Sequence, residues 1–358
     1  MMKKNRYIVI SVILLALIAI GLILTRSKST FKRALSDFAL DDTANVTMIY
    51  MSDKNNNSVK LTRRGPGKWM VNDRYQAQKL TVEMLLRTML DLEVREPVAK
   101  VAHNSIIRQL AVASVKVEIY QMVYRIDLFG FIRWFPHEKL TKVYYVGGAT
   151  PSNQGSFMLM EGSSEPFVTY LPAFRGFVSP RYSTMEKDWR DYTVFRKTIP
   201  EIRSVKVEVP ETPAFSFEVK NNDNKSFTLI SLIDNQEIRE YDTLRLLNFL
   251  AGFRNLSFEA LLNDMDKYRK DSVLASTPFI IITLTDTAGV SRTIKTYHMQ
   301  GPEGQTDMEG RPMPYDLDRL YALVNEGQDF TVIQYFSFDK VLRPKTFFLR
   351  ESAGGKNQ

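Results

Sequence analysis

Cysteine is absent from the 358 residues, which removes disulfides, thiolate metal sites, iron–sulfur clusters, thiol nucleophiles and lipid-modified cysteine from consideration. Histidine is scarce: His103, His137 and His298 stand far apart, without H-E-x-x-H or paired-ligand spacing, the pattern of structural or surface histidines. The chain also lacks a G-x-S-x-G elbow, a P-loop and a G-x-G-x-x-G fingerprint, so Gly147, Gly148, Gly155, Gly301 and Gly304 read as turn punctuation. With 17 glycines, 15 prolines, 44% hydrophobic and 25% charged residues, neither wholesale disorder nor a collagen-like repeat fits the composition. Long apolar runs are missing too, with one exception: residues 7–24, YIVISVILLALIAIGLIL, interrupted only by Ser11 and Gly21.

As a helix rising ~1.5 Å per residue, that run reaches roughly 27 Å, enough to cross a hydrocarbon core of about 30 Å. A buried core helix would show a polar face, and this run has none. A cleaved signal peptide would end in small residues, whereas Leu24 is followed by Thr25, Arg26, Ser27 and Lys28. The expectation is an uncleaved single-pass transmembrane anchor. The formal charge of +8 belongs almost wholly to its flanks: Lys3, Lys4, Arg6, Arg26, Lys28, Lys32 and Arg33 lie within residues 1–33, which hold no acid. The remainder is nearly neutral, which argues against nucleic-acid binding, since that needs basic residues concentrated on the folded part. Basic residues on both sides of the run leave the positive-inside rule nearly tied. The very short basic N-terminus favours a cytoplasmic start, placing the large domain outside the inner membrane, in the periplasm of a cell with two membranes.

After the anchor, the order of elements occurs twice. Val46–Met51 and Ser58–Thr62 read as strands around the turn Asp53–Asn57, followed by a strand at Gly67–Asn72 and a helix over Lys79–Leu92. The second series has strands at Val205–Val209, Phe215–Val219 and Phe227–Ile230, a turn at Asn221–Asn224 and a helix over Tyr241–Phe253, with Leu85-Leu86 matched to Leu246-Leu247. Further strands follow at Val115–Tyr120, Val143–Val146, Phe279–Leu284 and Ser291–Met299, then a short helix at Leu317–Val324 and an aromatic strand at Phe330–Phe338. Hairpin-rich order argues against a doubly wound parallel sheet. The expected fold class is therefore α+β: an N-terminal transmembrane helix, then two related units, each a mostly antiparallel sheet with one main packed helix. The expected boundaries are 1–33 for the anchor, 34–171 for the first unit, 172–200 for an aromatic and Arg-rich connector, 201–350 for the second unit and 351–358 for a frayed tail.

Carboxylate chemistry finds little support. Asp53, Asn55 and Asn57 imitate the first ligands of an EF-hand, but Ser58 replaces the turn glycine and Arg64 stands where the bidentate Glu belongs. Asp264 with Asp266, and Asp316 with Asp318, sit two apart and do not share a helical face. Asp316 reads instead as a helix N-cap. No catalytic, cofactor-binding or metal-binding residue is assigned. Two stretches stand out as candidate interaction surfaces. In the loop Phe129–Pro136, Phe131 and Trp134 either fold back on the core or meet a membrane surface or membrane protein. In the connector, Phe174, Arg175, Phe177, Arg181, Tyr182, Trp189 and Arg190 either staple the two units together or bind an anionic or glycan ligand through guanidinium bonds and ring stacking.

At these residues a family resemblance is visible. GKWMVN at 67–72, Pro97-Val98, VEIY at 117–120, YYVGG at 144–148, SFMLMEG at 156–162, FRGFVSPRY at 174–182, DWR at 188–190 and YDLDRLYAL at 315–323, together with the anchor, resemble the DUF4340 domain family as found in Bacteroidota. The resemblance covers nearly the whole chain after the anchor and implies no known catalytic residues. In some bacteria members of the wider family are encoded beside components of gliding-motility-type ABC transporters, which implies an accessory role at a membrane complex. The expected function is that of a membrane-anchored, non-enzymatic envelope protein, an interaction or accessory subunit with ABC transporter subunits among its possible partners. The alternative is an envelope glycan-binding or glycan-processing protein.

Overall fold

The computed structural model describes residues 12–16, 18, 36–128, 132–223, 225–302, 304, 306 and 309–350. Most of the apolar run 7–24 and all of the tail 351–358 lie outside these residues; residues 12–16 and 18 of the run are helical and exposed. Among the described residues no helix is long and apolar enough to cross a membrane. The chain divides into two compact units, Met1–Asp191 and Tyr192–Gln358.

In the first unit the order is β1 (Val46–Ser52), β2 (Ser58–Gly65), β3 (Lys68–Val71), β4 (Tyr75–Gln76), α1 (Lys79–Asp91), β5 (Glu93–Pro97), α2 (Lys100–Ala113), β6 (Val115–Leu128), β7 (Ile132–Ala149), β8 (Ser156–Met160) and β9 (Phe167–Tyr170). The strands form one nine-stranded sheet, β4-β3-β2-β1-β6-β7-β8-β9-β5, with every neighbouring pair antiparallel. The second unit runs β10 (Thr193–Phe195), β11 (Ile202–Glu208), β12 (Phe217–Asn221), β13 (Phe227–Ser231), β14 (Glu237–Ile238), α3 (Thr243–Ala251), β15 (Leu256–Ser257), β16 (Ala260–Leu261), α4 (Lys267–Ala275), β17 (Ile281–Asp286), β18 (Ser291–Gln300), β19 (Tyr315–Val324), β20 (Asp329–Gln334) and α5 (Tyr335–Phe338). Its large sheet is β14-β13-β12-β11-β17-β18-β19-β20-β16, strand for strand the order of the first, and β10 pairs separately with β15.

Alternation along the strands decides which helix each face meets. In β8, Met158 and Met160 join Val82, Leu85, Leu86 and Met89 of α1 in the main core, while Phe157 and Leu159 face Ile106 and Leu110 of α2 in a second, smaller core. The second unit does the same. In β20, Ile333 belongs to the core with Leu246, Phe249 and Leu250 of α3, while Phe330 and Val332 pack with Val273 and Leu274 of α4. Each unit therefore carries helices on both faces of its sheet, where the sequence suggested one main helix. The buried positions correspond at constant spacing: Val82, Leu85, Leu86 and Met89 answer to Leu246, Phe249, Leu250 and Phe253, so Leu85-Leu86 matches Phe249-Leu250 and not Leu246-Leu247.

The ends of the units correspond as well. Leu40 N–H donates to the Met89 carbonyl at 2.8 Å, and Lys197 N–H to the Phe253 carbonyl at 2.9 Å. Gln78 N–H donates to the Trp189 carbonyl at 2.7 Å, and Asp242 N–H to the Phe348 carbonyl at 2.8 Å. Residues 172–191 thus close the first unit as residues 345–349 close the second, and 192–200 open the second. The short helix expected at Leu317–Val324 is instead strand β19. Leu320 and Ala322 lie in one core while Tyr321 and Leu323 pack on the other. A strand covered on both faces has a continuous apolar run, which hides its alternation. Asp316 does not cap a helix; its carboxylate accepts from the N–H groups of Asp318 and Arg319 at 2.8 and 2.9 Å, shaping the start of the strand.

Candidate functional site

The largest departure from the duplicated plan is the β6–β7 hairpin. In the second unit the equivalent β17 and β18 pair from Ile281↔Lys295 to Thr285↔Ser291 and end in a tight turn, with Asp286 N–H on the Val290 carbonyl at 2.9 Å. In the first unit β6 has 14 residues and β7 has 18. β1 accompanies β6 only as far as Gln121, and β8 joins β7 only from Tyr144. Beyond those points β6 and β7 pair with each other alone, through Val123↔His137, Tyr124↔Pro136 and Ile126↔Trp134 to Leu128↔Ile132. At ~3.4 Å per residue this arm projects roughly 20 Å past the sheet.

Residues directly opposite one another share a face, so Tyr124, Ile126, Trp134 and Pro136 lie on one side of the arm. Trp134 is 59% exposed and Phe135 65%, with Ile126 exposed opposite Trp134 and Leu140 exposed at the base of the arm. Phe135 adopts φ 56°, a left-handed conformation uncommon for a bulky side chain and costing about 1–3 kcal/mol. Arg125 and Arg133 are exposed beside these rings and Lys139 is exposed at the root, opposite Gln121, and the Arg133 guanidinium lies 5.6 Å from the centre of the Tyr124 ring. Glu138 is engaged at the root, where it accepts from the Thr47 hydroxyl. The segment Ile132–Pro136, expected as a loop, is therefore strand. Phe131, singled out in the sequence, lies outside the described residues. The sequence reading passed over Tyr124, Arg125 and Ile126, although Tyr124 and Ile126 alternate with Arg125 as strand residues do.

The Arg and aromatic stretch divides by burial. Tyr182, Trp189 and Arg190 are buried in the first unit, at 1%, 1% and 3% exposure. The Tyr182 hydroxyl lies 3.3 Å from that of Tyr144, Trp189 Nε1 donates to the Ser183 carbonyl at 3.0 Å, and the Arg190 guanidinium sits 3.5 Å from the Tyr75 ring centre. Burial pushes Tyr182 up to about 12, with the Tyr144 hydrogen bond and the Arg181 charge opposing the rise. Burial also raises Tyr144 well above the usual tyrosine range. These side chains are core, not ligand surface. Arg181 donates to the Thr88 hydroxyl at 2.8 Å and stacks 4.6 Å from the Phe174 ring centre. Phe177 is half-buried, and Phe174 and Arg175 are exposed.

The carboxylates are occupied structurally. Asp53 accepts from Asn55 N–H, Asn57 N–H, the Asn57 amide and the Thr184 hydroxyl, tying the β1–β2 turn to the closing segment. Asp266 caps α4 through Arg269 N–H at 3.1 Å. Among the described residues no group of three or more His, Asp or Glu is placed to hold a metal ion. The second unit also has an open cleft of about 880 Å³, lined by Arg196, Arg254, Asn255, Tyr335, Phe336 and Lys340 among others.

Two units on one strand order, one of them carrying a projecting two-stranded arm, define a tandem-repeat α+β protein. Residues 69–273 match the model of the family described as Domain of unknown function (DUF4340), and the chain belongs to that family. The match begins in β3 of the first unit and ends in α4 of the second. No curated protein and no solved structure matches the chain.

Proposed function

We propose that the protein is a single-pass, membrane-anchored accessory subunit that works by binding, with the β6–β7 arm as the element that positions it at the membrane complex. Residues 7–24 supply the anchor in the cytoplasmic membrane and the two units stand on its outer side; the apolar run supports the anchor and the very short basic N-terminus supports the orientation. The carrying observation is the arm itself. A two-stranded ribbon in water is marginal on its own, yet this one holds Trp134 and Phe135 in solvent where the duplicated unit has a tight turn. Exposed aromatics grouped beside cationic side chains mark interaction surfaces. The partner class that the family resemblance suggests is a membrane complex of the ABC transporter type.

The test is purification of the tagged full-length protein from its native membrane in mild detergent, beside a variant whose residues 123–137 are replaced by the 286–290 turn. Permease or ATPase subunits retained by the parent and lost by the shortened variant, with equal yield and melting temperature, support an accessory subunit working through the arm. Equal retention by both removes the arm from the contact. A parent protein that brings down no membrane subunit removes the accessory role.

A further inference from the structure

We propose that the arm seats on the surface of the bilayer in which the chain is anchored, with Trp134 and Phe135 in the headgroup region and Arg125 and Lys139 on anionic lipid. The inference rests on the anchor reading above and goes on to name what the arm touches.

Three observations carry it. The first is where the chain enters. Lys142 Nζ, at the root of β7, donates to the Asp37 carbonyl at 2.8 Å, pairs with the Asp37 carboxylate at 3.1 Å and also contacts the Ala39 carbonyl. Gln121, at the root of β6, donates to the Asp42 carbonyl at 3.1 Å. Residues 37–42 therefore cross the same end of the sheet from which the arm projects. The second is length. Between Leu24 and Ser36 the chain spans at most roughly 43 Å even when fully extended, so an anchored chain keeps the root of the arm within that reach of the lipid surface. The arm's own reach of roughly 20 Å covers about half of that distance. The third is chemistry. Exposed tryptophan and phenylalanine in the outer part of the arm, with Arg125 and Arg133 beside them and Lys139 at its root, form a side-chain set that partitions to the membrane interface, where rings enter the headgroup layer and cations meet anionic lipid. The tether adds Arg26, Lys28, Lys32 and Arg33, which favour the same leaflet surface.

Tryptophan fluorescence provides the test. Of the three tryptophans, Trp69 and Trp189 are 4% and 1% exposed while Trp134 is 59% exposed, so lipid-dependent emission reports on the arm. Full-length protein is reconstituted into phosphatidylcholine vesicles containing phosphatidylglycerol, with and without bromine on the acyl chains. The expected result is a blue shift and strong bromine quenching that disappear in Trp134→Phe, with weaker quenching in Arg125→Glu/Lys139→Glu at low salt. Bromine quenching that is the same in Trp134→Phe as in the parent overturns the proposal. So does a Trp134 that remains accessible to aqueous iodide, or one that becomes shielded from both quenchers only when a protein complex is added. Flotation at alkaline pH separates the two levels: Trp134→Phe floating with the vesicles while its parent shows no arm quenching sinks this inference and leaves the anchor standing. A parent chain washed from the vesicles sinks both.

Discussion

Tyr182 and Tyr144 show how a single buried pair links the closing segment to the sheet. Their hydroxyls, 3.3 Å apart, satisfy one another in a core that holds both rings at about right angles. An unfolded tyrosine ionises near 10, whereas burial holds Tyr182 at about 12, so the folded state keeps a proton that the unfolded state releases. The contribution is complete below about pH 10 and declines by about 1.4 kcal/mol per pH unit as pH rises toward about 12. Tyr182→Phe leaves the Tyr144 hydroxyl without this partner and lowers stability at neutral pH by about 1–2 kcal/mol. It also flattens the alkaline loss of stability. Denaturant titrations of both proteins between about pH 9 and about pH 12 check this; parallel curves would remove the linkage. Gly147 makes a second case at this scale. A Cβ there would lie 2.4 Å from Leu110 Cδ2 and 3.1 Å from the Phe157 carbonyl oxygen, so a side chain at this position requires the Leu110 side chain of α2 to shift. Gly147→Ala is expected to cost about 1–3 kcal/mol by overpacking, read as a lowered melting temperature. The sequence showed Gly147-Gly148 as punctuation at a strand end, because nothing local discloses a helix arriving from the other face.

Elements were legible where a single face is buried. β1, β2 and α1 alternate or recur with clean periodicity and lie close to where the pattern places them. α2 and α4 were not read from the sequence: in α2 the stripe Ala102, Ile106 and Leu110 is blurred by exposed Val101 and Val112, and α4 buries no residue fully. β19 was misread for the opposite reason, having too many apolar neighbours. The arm was half legible. Its aromatic cluster was visible, but its length depends on β6 pairing with β7 past the end of the sheet, which no local pattern records. The two equivalent helices α1 and α3 also differ in how they start. Asp242 caps α3 through the Arg245 N–H at 3.0 Å, while Gln78, at the start of α1, makes no side-chain cap. Asp242→Ala is expected to lower stability by about 1 kcal/mol, and Gln78→Asp to raise it by up to a similar amount. Chemical denaturation of the two variants provides the comparison, and equal effects of one sign would contradict the capping argument.

At the scale of the whole chain, each unit is finished by an aromatic residue contributed from its own C-terminal end. Trp189 and Phe348 are each the last residue of a short 3-10 turn. Each is buried in its unit's main core, and each lends its carbonyl to the residue that begins the long helix. In the first unit Val178 and Tyr182 of the closing segment join Trp189 in the core, whereas in the second Phe348 is the one fully buried residue of 345–349. Removing the ring leaves a cavity and frees the segment, at a cost of about 3–5 kcal/mol for an aromatic-to-alanine change. The expected pattern is selective. Trp189→Ala should release amide protection first in β1 to β9, and Phe348→Ala first in β11 to β20, because each ring belongs to one core. Hydrogen exchange followed by mass spectrometry on the full chain reads both sheets in one experiment. Loss confined to the mutated ring's own sheet supports two cores, each closed by its own segment. Equal loss in both sheets from either substitution would mean that the duplicated units share one cooperative transition, and the closing aromatic would then stabilise the chain as a whole.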